Sequence, residues 1–281
     1  MKFDLNDLDA DDLEEEIFVK FKSKKHKLTG KQSVSQLVSS TVDEADPDAR
    51  FENTDLNELQ QMDFLDELIS GIKTGKEASV FLGRNSRGLV AVKIYTDLRV
   101  RSFKQDTAYR QGRFIGDPRL EKAIDHRSHK GLDARQILWV QEEFKQMQHL
   151  YEYGVRVPKG IAVNGLALVM EFIGDDNGNP APRISDLKMG REEAQEAFRQ
   201  SVQNLKRIVG SGRVHGDYST FNILWHREEA VVIDFPQVME IDKNPNANVF
   251  LQRDVRTLCK SFTKQGVKAD EVKVLREIRS Q

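Results

Sequence analysis

Apolar residues recur at regular spacing from about residue 56 onward, and this pattern predicts the first elements of the fold. A polar stretch at 84–88 separates two β-type runs, at 78–82 and 89–95, and has the length and composition of a hairpin turn. A small antiparallel sheet is therefore expected. A short helix is predicted to lead into its first strand and to end near Ser70-Gly71, with apolar positions Leu56, Leu59, Met62, Phe64, Leu65 and Leu68.

A long helix is predicted next, because the apolar residues of 134–153 form a single stripe. The charged, weakly periodic stretch 96–133 before it is expected to be a partly helical insertion. A turn-forming cluster at 174–180 is the best internal boundary and divides the chain into lobes over 51–173 and 174–281. The other predicted elements are strands at 160–163 and 167–172, a helix at 191–209 and a helical region from about Asn248.

The first fifty residues are polar and charge-segregated. Eight acidic residues in 1–16 are followed by six lysines and no acid in 17–32. Because few apolar residues offset the entropy cost of ordering this segment, residues 1–50 are expected to form a flexible charged arm. The lysine-rich part, 20–31, is a candidate contact for RNA or an acidic protein, and a solvated tail is the alternative.

Composition and charge exclude several classes of protein. The 281 residues carry 43 Lys+Arg and 45 Asp+Glu, a net charge of -2, which excludes a histone-like polycation. With 38% apolar residues and 15 Phe, a hydrophobic core can form. Cys259 is the single cysteine, so neither an internal disulfide nor a zinc site is expected. The acidic N-terminus and the interrupted apolar runs indicate a cytoplasmic protein with no membrane contact.

Three oxygen-bearing side chains with informative spacing lie in the C-terminal half. Asp217 and Asn222 are five residues apart in a His-Gly-Asp-x-x-x-x-Asn motif, and Asp234 follows a short apolar run. If residues 223–225 and 231–233 pair as a hairpin, Asn222 and Asp234 lie at its same open end. One carboxylate and one amide can hold Mg²⁺ against a nucleotide, which leaves Asp217 free to accept a proton. Structural roles in turns are the alternative.

This spacing matches the catalytic loop of protein kinases, with Gly in place of Arg, and a second motif agrees with it. Val-Ala-Val-Lys at 90–93 matches the V-A-I-K signature and lies on the third predicted strand. Lys93, inward on an apolar strand, requires an anionic partner or an edge position. Glu142 and Glu143 on the long helix are the candidates, and Glu143 is preferred because it lies on the apolar stripe.

The loop between the first two strands does not match a Walker A motif. Three residues separate Gly71 from Gly75, where that motif requires four, and Glu77 follows Lys76 where it requires Ser or Thr. A loop with Thr74, Gly75 and Lys76 between two strands can nevertheless offer backbone N–H groups and a cation to phosphates.

Together these motifs resemble those of the RIO-type atypical serine/threonine protein kinases, and most closely their first branch in its bacterial or archaeal-like form. The resemblance implies an α+β fold of two lobes, with a small antiparallel-sheet N-lobe and a trimmed, mainly helical C-lobe. It also implies that an activation segment and a separate peptide-binding subdomain are lacking. The matching stretches, in order, are 73–78, 139–147, 215–224, 233–237 and 250–255.

The resemblance also implies a nucleotide site with ATP and Mg²⁺ or Mn²⁺. In it Asp217 is the proton acceptor, and Asn222 and Asp234 are the metal ligands. Lys93 binds the α- and β-phosphates with Glu143 as its partner, and Asp234 is a candidate acyl-phosphate site. The other implied nucleotide contacts are Thr74, Gly75, Lys76, Glu77 and Ala78 over the phosphates and Met170, Glu171 and Ile173 at the gatekeeper and hinge.

The implied function is an ATP-dependent serine/threonine protein kinase that also phosphorylates itself and acts on an unknown protein substrate. One alternative is an ATPase-driven switch in small ribosomal subunit assembly, with RNA contact through residues 20–31. Another is a small-molecule kinase of the aminoglycoside or choline type, which shares the His-Gly-Asp motif but usually has a larger helical lobe. Two departures from the family pattern stand out: Lys73 replaces a usual Ser, and Tyr-Ser-Thr-Phe at 218–221 replaces Leu-Ser-Glu-Tyr.

Overall fold

The structure of the protein is a computed structural model that describes residues 53–75, 78–95 and 129–280, with side chains from Gln136 in the last range. Several predictions concern residues outside these ranges. They are the arm at 1–50, residues 96–128 of the insertion, and Lys76 and Glu77 of the loop.

Helix α1 (Thr54–Gln61) opens the described fold. Asn53 caps it, because its side-chain oxygen accepts a hydrogen bond of 3.1 Å from the Leu56 backbone N–H. Leu56 and Leu59 lie on its buried face. The helix docks onto the sheet through Asp55, whose carboxylate accepts a hydrogen bond of 2.8 Å from the backbone N–H of Leu166.

The predicted continuation of this helix to Ser70 is wrong. The chain leaves the helix at Met62, and Asp63 adopts a left-handed backbone with φ of 60°, which ends the helical path. Leu65 and Leu68 are still buried, although Leu68 lies on a strand. In so short a stretch, apolar residues three to four apart do not distinguish a helix from a helix followed by a turn and a strand.

Five antiparallel strands form the main sheet in the order β1-β2-β3-β5-β4. The turn between β2 and β3 is tight, because Asn85 pairs directly with Gly88, whose φ of 129° suits glycine. The predicted antiparallel sheet is thus present. Its strands are β1 (Glu67–Thr74), β2 (Ala78–Asn85), β3 (Gly88–Tyr95), β4 (Gly160–Asn164) and β5 (Ala167–Glu171).

Helix α2 (His129–Glu152) packs against this sheet and begins five residues before the predicted start. It ends at Gly154, whose φ of 84° stops the helical path as predicted. Its stripe residues Val140 and Met147 are buried. Strand β4 approaches α2 so closely at Gly160 that a Cβ there would lie 2.8 Å from the Phe144 ring, and this requires glycine.

The C-terminal part is mainly helical, and its buried residues continue the core that also contains Val140, Met147 and Leu168. Phe198 and Phe262 meet there with ring centroids 5.2 Å apart and join the first and second long helices of this part. The helices predicted at 191–209 and from Asn248 are both present. The elements are α3 (Arg191–Gly210), β6 (Arg213–Val214), β7 (Ile223–His226), β8 (Glu229–Val232), β9 (Met239–Glu240), α4 (Ala247–Lys264) and α5 (Glu271–Arg279).

The proposed boundary between the lobes, at residue 174, falls in a polar turn. Asp175 organises this turn, because its carboxylate accepts hydrogen bonds from the backbone N–H groups of Asn177 and Asn179 at 3.0 and 2.8 Å. Within the part of the chain that the structure describes, no helix has the length and apolar character required to cross a bilayer.

Strands β7 and β8 form the predicted hairpin, with Ile223 opposite Val232. The Ile233 backbone N–H extends the pairing by donating to the Asn222 carbonyl at 2.9 Å. This pairing places Asn222 and Asp234 at the same open end of the hairpin, as predicted. The turn residues Arg227 and Glu228 both have positive φ, 49° and 63°, a conformation that favours Asn and Gly.

Replacing Arg227→Asn together with Glu228→Gly should therefore stabilise the protein. Relief of two left-handed residues should raise the free energy of unfolding by about 1 kcal/mol, or Tm by about 2–4 °C. Calorimetry measures the change. The matched control, Arg227→Ala with Glu228→Ala, removes the same charges but keeps the strained backbone, and an equal rise in Tm there would contradict the explanation.

Candidate active site

The centre of the site is a buried lysine that contacts two carboxylates. Lys93 lies on β3, where Val90 and Val92 fill the core on the opposite face of the sheet. Its Nζ lies 2.8 Å from Oε1 of Glu143 and 2.7 Å from Oδ1 of Asp234. Of the two candidate glutamates, the one that contacts the lysine is thus Glu143. The contact joins the sheet, helix α2 and the segment after β8.

The charged groups of Lys93, Asp234 and Glu143 shift one another's pKa values. Burial lowers the pKa of Lys93, but the carboxylates of Asp234 and Glu143 outweigh it, so the pKa lies above its ordinary value. The Lys93 ammonium also holds the pKa of Asp234 below its usual range against the opposing effect of desolvation. Burial raises the pKa of Glu143 and is only partly offset by Lys93. The cation therefore stays charged and ready for an anionic ligand.

Asp234 occupies an unusual backbone conformation. Its φ is 71°, in the left-handed region that few residues other than glycine adopt and that asparagine and aspartate tolerate best. The preceding hairpin and the next residue hold it there, because the Phe235 backbone N–H donates to Glu143 Oε1 at 3.4 Å. Such a fixed residue presents its carboxylate in one orientation, as a metal ligand requires.

Asp217 and Asn222 contact each other in the loop before β7. The Asn222 amide Nδ2 donates hydrogen bonds of 2.9 Å to both the main-chain carbonyl and the carboxylate Oδ2 of Asp217. These bonds fix the amide orientation and leave Oδ1 of Asn222 without a hydrogen bond within the described residues. Together with the second carboxylate oxygen of Asp234, this supplies two hard oxygen atoms, the donor set that Mg²⁺ prefers beside phosphate and water.

The residues predicted to form the nucleotide loop and the hinge lie at the ends of three strands. Thr74 ends β1 and Ala78 begins β2, and the Gly75 N–H donates to the Ala78 carbonyl at 2.9 Å. Met170 and Glu171 end β5 beside β3. Ile173 follows them and is buried, and its backbone N–H donates no hydrogen bond within the described residues, so this group is available to a ligand. Lys76 and Glu77 lie outside the described residues.

An acidic residue of α4, with no role assigned from the sequence, organises the catalytic loop. Asp254 is 1% exposed, and its carboxylate accepts hydrogen bonds from the Gly216 and Tyr218 backbone N–H groups at 2.8 and 3.0 Å. Arg253 donates to the Gly216 carbonyl from the same helix. These bonds grip the backbone on both sides of Asp217. The signal was present in the sequence, since Asp254 lies on the apolar stripe of α4, where an acid needs partners.

His215 is a second residue whose place only the structure shows. It is fully buried and meets the rings of Tyr218 and Phe235 edge-on, at centroid distances of 5.4 and 5.9 Å. Burial lowers its pKa, which favours the neutral ring. His215 thus packs the loop that contains Asp217 against Phe235.

Comparison with known proteins decides the family. The sequence model of the RIO domain matches residues 79–275, more than half of the chain. The chain belongs to the RIO domain family. One relative is the RIO-type serine/threonine-protein kinase Rio1 of Haloferax volcanii, 38% identical over 218 residues, 75% of this chain and 69% of the relative. The protein of the same name from Methanocaldococcus jannaschii is 34% identical over 206 residues, 72% of this chain and 65% of the relative.

Longer relatives and solved structures extend the RIO comparison. Human serine/threonine-protein kinase RIO1 is 31% identical over 215 residues, 75% of this chain but only 36% of the human protein. The crystal structure of the Rio2 kinase from Chaetomium thermophilum matches with a TM-score of 0.57 at 22% identity, over 75% of this chain and 60% of that one. Its ADP/Mg²⁺-phosphoaspartate complex gives 0.59 at 20% identity, over 100% and 90%. The predicted α+β, protein-kinase-like fold is thereby confirmed.

Removing the central cation of this RIO domain should destabilise it. Lys93→Met leaves the buried Glu143 carboxylate without its partner, at a cost of about 3–5 kcal/mol. Adding Glu143→Gln removes the unpaired charge and should recover much of that loss. Urea unfolding of the two single variants and the double variant measures the coupling. Losses that simply add in the double variant would contradict the assignment of an interacting buried pair.

The stability of the RIO domain should depend on pH through Asp254. Burial raises its pKa to about 7, against hydrogen bonds from Tyr218 and Gly216 that lower it. The folded state thus keeps a proton that the unfolded chain releases near pH 4, so this group makes stability fall as pH rises from about 4 to about 7. Asp254→Asn lacks this titration. In urea unfolding, the free energy of unfolding of the wild type minus that of Asp254→Asn should fall as pH rises from about 4 to about 7. If the two free energies change with pH in parallel, the raised pKa of Asp254 is contradicted.

Proposed function

We propose that this chain is an ATP-dependent serine/threonine protein kinase of the RIO type that also phosphorylates itself. The observation that carries the proposal is the contact of Lys93 with both Glu143 and Asp234, because a cation of this kind can bind phosphate and the carboxylate beside it can bind a metal ion. Membership of the RIO family and relatives named as serine/threonine-protein kinases support it. Neither an ATPase switch nor a small-molecule kinase is favoured by these relatives.

In the proposed reaction, the γ-phosphoryl group passes from ATP to a serine or threonine hydroxyl, and ADP leaves. Lys93 holds the α- and β-phosphates. Asn222 and Asp234 hold Mg²⁺, with Mn²⁺ as the alternative, and the bound ion neutralises charge on the phosphate oxygens. Asp217 accepts the hydroxyl proton, and its hydrogen bond to Asn222 keeps it oriented. Catalysis then results mainly from positioning and charge stabilisation.

The adenine and phosphate contacts complete the proposed site. Ile173 offers its free N–H to the adenine ring, with the Glu171 carbonyl as the acceptor beside it and Met170 as the gatekeeper. The loop from Thr74 to Ala78 covers the phosphates. The protein substrate is unknown, and contact of residues 20–31 with the small ribosomal subunit stays a prediction.

Asp234 is also a proposed phosphate acceptor. One structural neighbour is named as a phosphoaspartate complex of the Rio2 kinase. In this chain Asp234 is partly exposed and faces Lys93, which suits attack of its carboxylate oxygen on the γ-phosphorus with ADP as the leaving group. An acyl phosphate of this kind is acid-labile and cleaved by hydroxylamine, whereas phosphoserine and phosphothreonine are acid-stable, so the two products can be separated.

The decisive test is Asp217→Ala with γ-labelled ATP and Mg²⁺. Because the base acts on the chemistry, acid-stable transfer should fall by roughly 10²–10⁴-fold while nucleotide affinity stays within about threefold. The matched control is Asp242→Ala, an exposed acid outside the site. Unchanged acid-stable labelling in the Asp217 variant would reject the proposed base, and label found only as hydroxylamine-sensitive phosphate in the wild type would favour the ATPase alternative.

A further inference from the structure

A second lysine shares the face of the sheet that carries Lys93. Lys73 on β1 pairs with Val80 on β2, and Val80 pairs with Lys93 on β3. Directly paired residues of an antiparallel sheet project to the same face, so the three form one row across three strands. Neighbouring strands lie about 4.8 Å apart, which puts the Cα atoms of the two lysines about 10 Å apart.

A β-bulge is what brings Lys73 into this row. Gly71 pairs with Phe81, and an uninterrupted register would then pair Lys73 with Ser79, on the opposite face. The register shifts between Gly71 and Lys73, so Lys73 pairs with Val80 instead. The bulge turns the lysine toward the face where Lys93 meets Asp234. Bulges of this kind commonly re-aim a side chain beside a functional site.

The surroundings of Lys73 suit an anionic ligand. Its side chain is exposed, and within the described residues its ammonium makes no hydrogen bond and no ion pair. Although the residue is exposed overall, partial desolvation of its ammonium and then Arg183 lower its pKa, Asp234 and Asp186 raise it, and Lys93 lowers it further. Arg183 donates a hydrogen bond of 2.8 Å to Asp186, and Lys93 is paired with two carboxylates. Of these three cations, Lys73 is therefore the one without a hydrogen bond or ion pair within the described residues.

We infer that Lys73 binds the terminal phosphate of ATP and lets this loop discriminate ATP from ADP. The inference rests on the proposed function, in which Lys93 holds the α- and β-phosphates. Lys73 lies one residue before the end of β1, at the side of the loop proposed to cover the phosphates. Two flexible lysines at this separation can bind different phosphates of one triphosphate. Because Lys93 is assigned to the α- and β-phosphates, the γ-phosphate is the one assigned to Lys73. A serine, the usual family residue, would carry no charge at this position.

The test compares nucleotide affinities of Lys73→Gln with those of the wild type. The probes are Mg²⁺-ADP and the Mg²⁺ complex of the non-hydrolysable β,γ-imido analogue of ATP, measured by calorimetry. Loss of one charge-assisted hydrogen bond should weaken the ATP analogue roughly tenfold or more, while ADP affinity changes by less than about threefold. Lys73→Arg keeps the charge and should retain most of the affinity. The matched control, Lys159→Gln, removes an exposed lysine before β4 and should change neither affinity.

Two results would overturn the assignment of Lys73. One is an equal loss for both nucleotides, which would make the lysine a general electrostatic contributor or a ligand of the inner phosphates. The other is no change for either nucleotide. Failure of the proposed nucleotide site has a different signature, because the wild type would then bind neither nucleotide, and failure of the proposed protein kinase activity shows as the absence of acid-stable label in the wild type. Thermal unfolding of Lys73→Gln confirms that the exposed substitution leaves the fold intact.

Discussion

The fold depends on one buried cation. Lys93 is buried on a strand whose Val90 and Val92 fill the core, and a charge in such a place is tolerated only with close counter-charges. It obtains two, from helix α2 and from the segment after β8, which are far apart in the chain. Satisfying one lysine therefore holds three elements of the fold together.

The catalytic loop is held by a second buried acid rather than by its own sequence. Asp254 on α4 receives two backbone N–H groups from residues on either side of Asp217, so the loop conformation is set by a helix nearly forty residues later. Asn222 orients Asp217 from the other side, and the β7–β8 pairing carries Asp234 to the same end. Rigid support of this kind is what positioning-based catalysis requires.

Some features could be predicted from the sequence because local chemistry decides them. The tight β2–β3 turn and the end of α2 just before Gly154 follow from turn residues, whereas the hairpin before Asp234 follows from the two short apolar runs that pair in it. The choice of Glu143 over Glu142 as the neighbour of Lys93 follows from helical periodicity, since only one of two adjacent residues can lie on the buried stripe. The prediction of the extent of α1 failed because Leu65 in the following turn and Leu68 on β1 continue the apolar spacing of the helix.

By itself, the sequence determined which residue types stand at which spacing, and this sufficed for the kinase-like fold and the family and for a prediction of the site residues. Only the tertiary structure decided which groups contact each of these side chains. The grip of Asp254 on the loop, the packing of His215 and the placement of Lys73 by a β-bulge all depend on contacts between distant segments. Strand register and long-range hydrogen bonds are set by the packing of the whole core, so no local pattern encodes them.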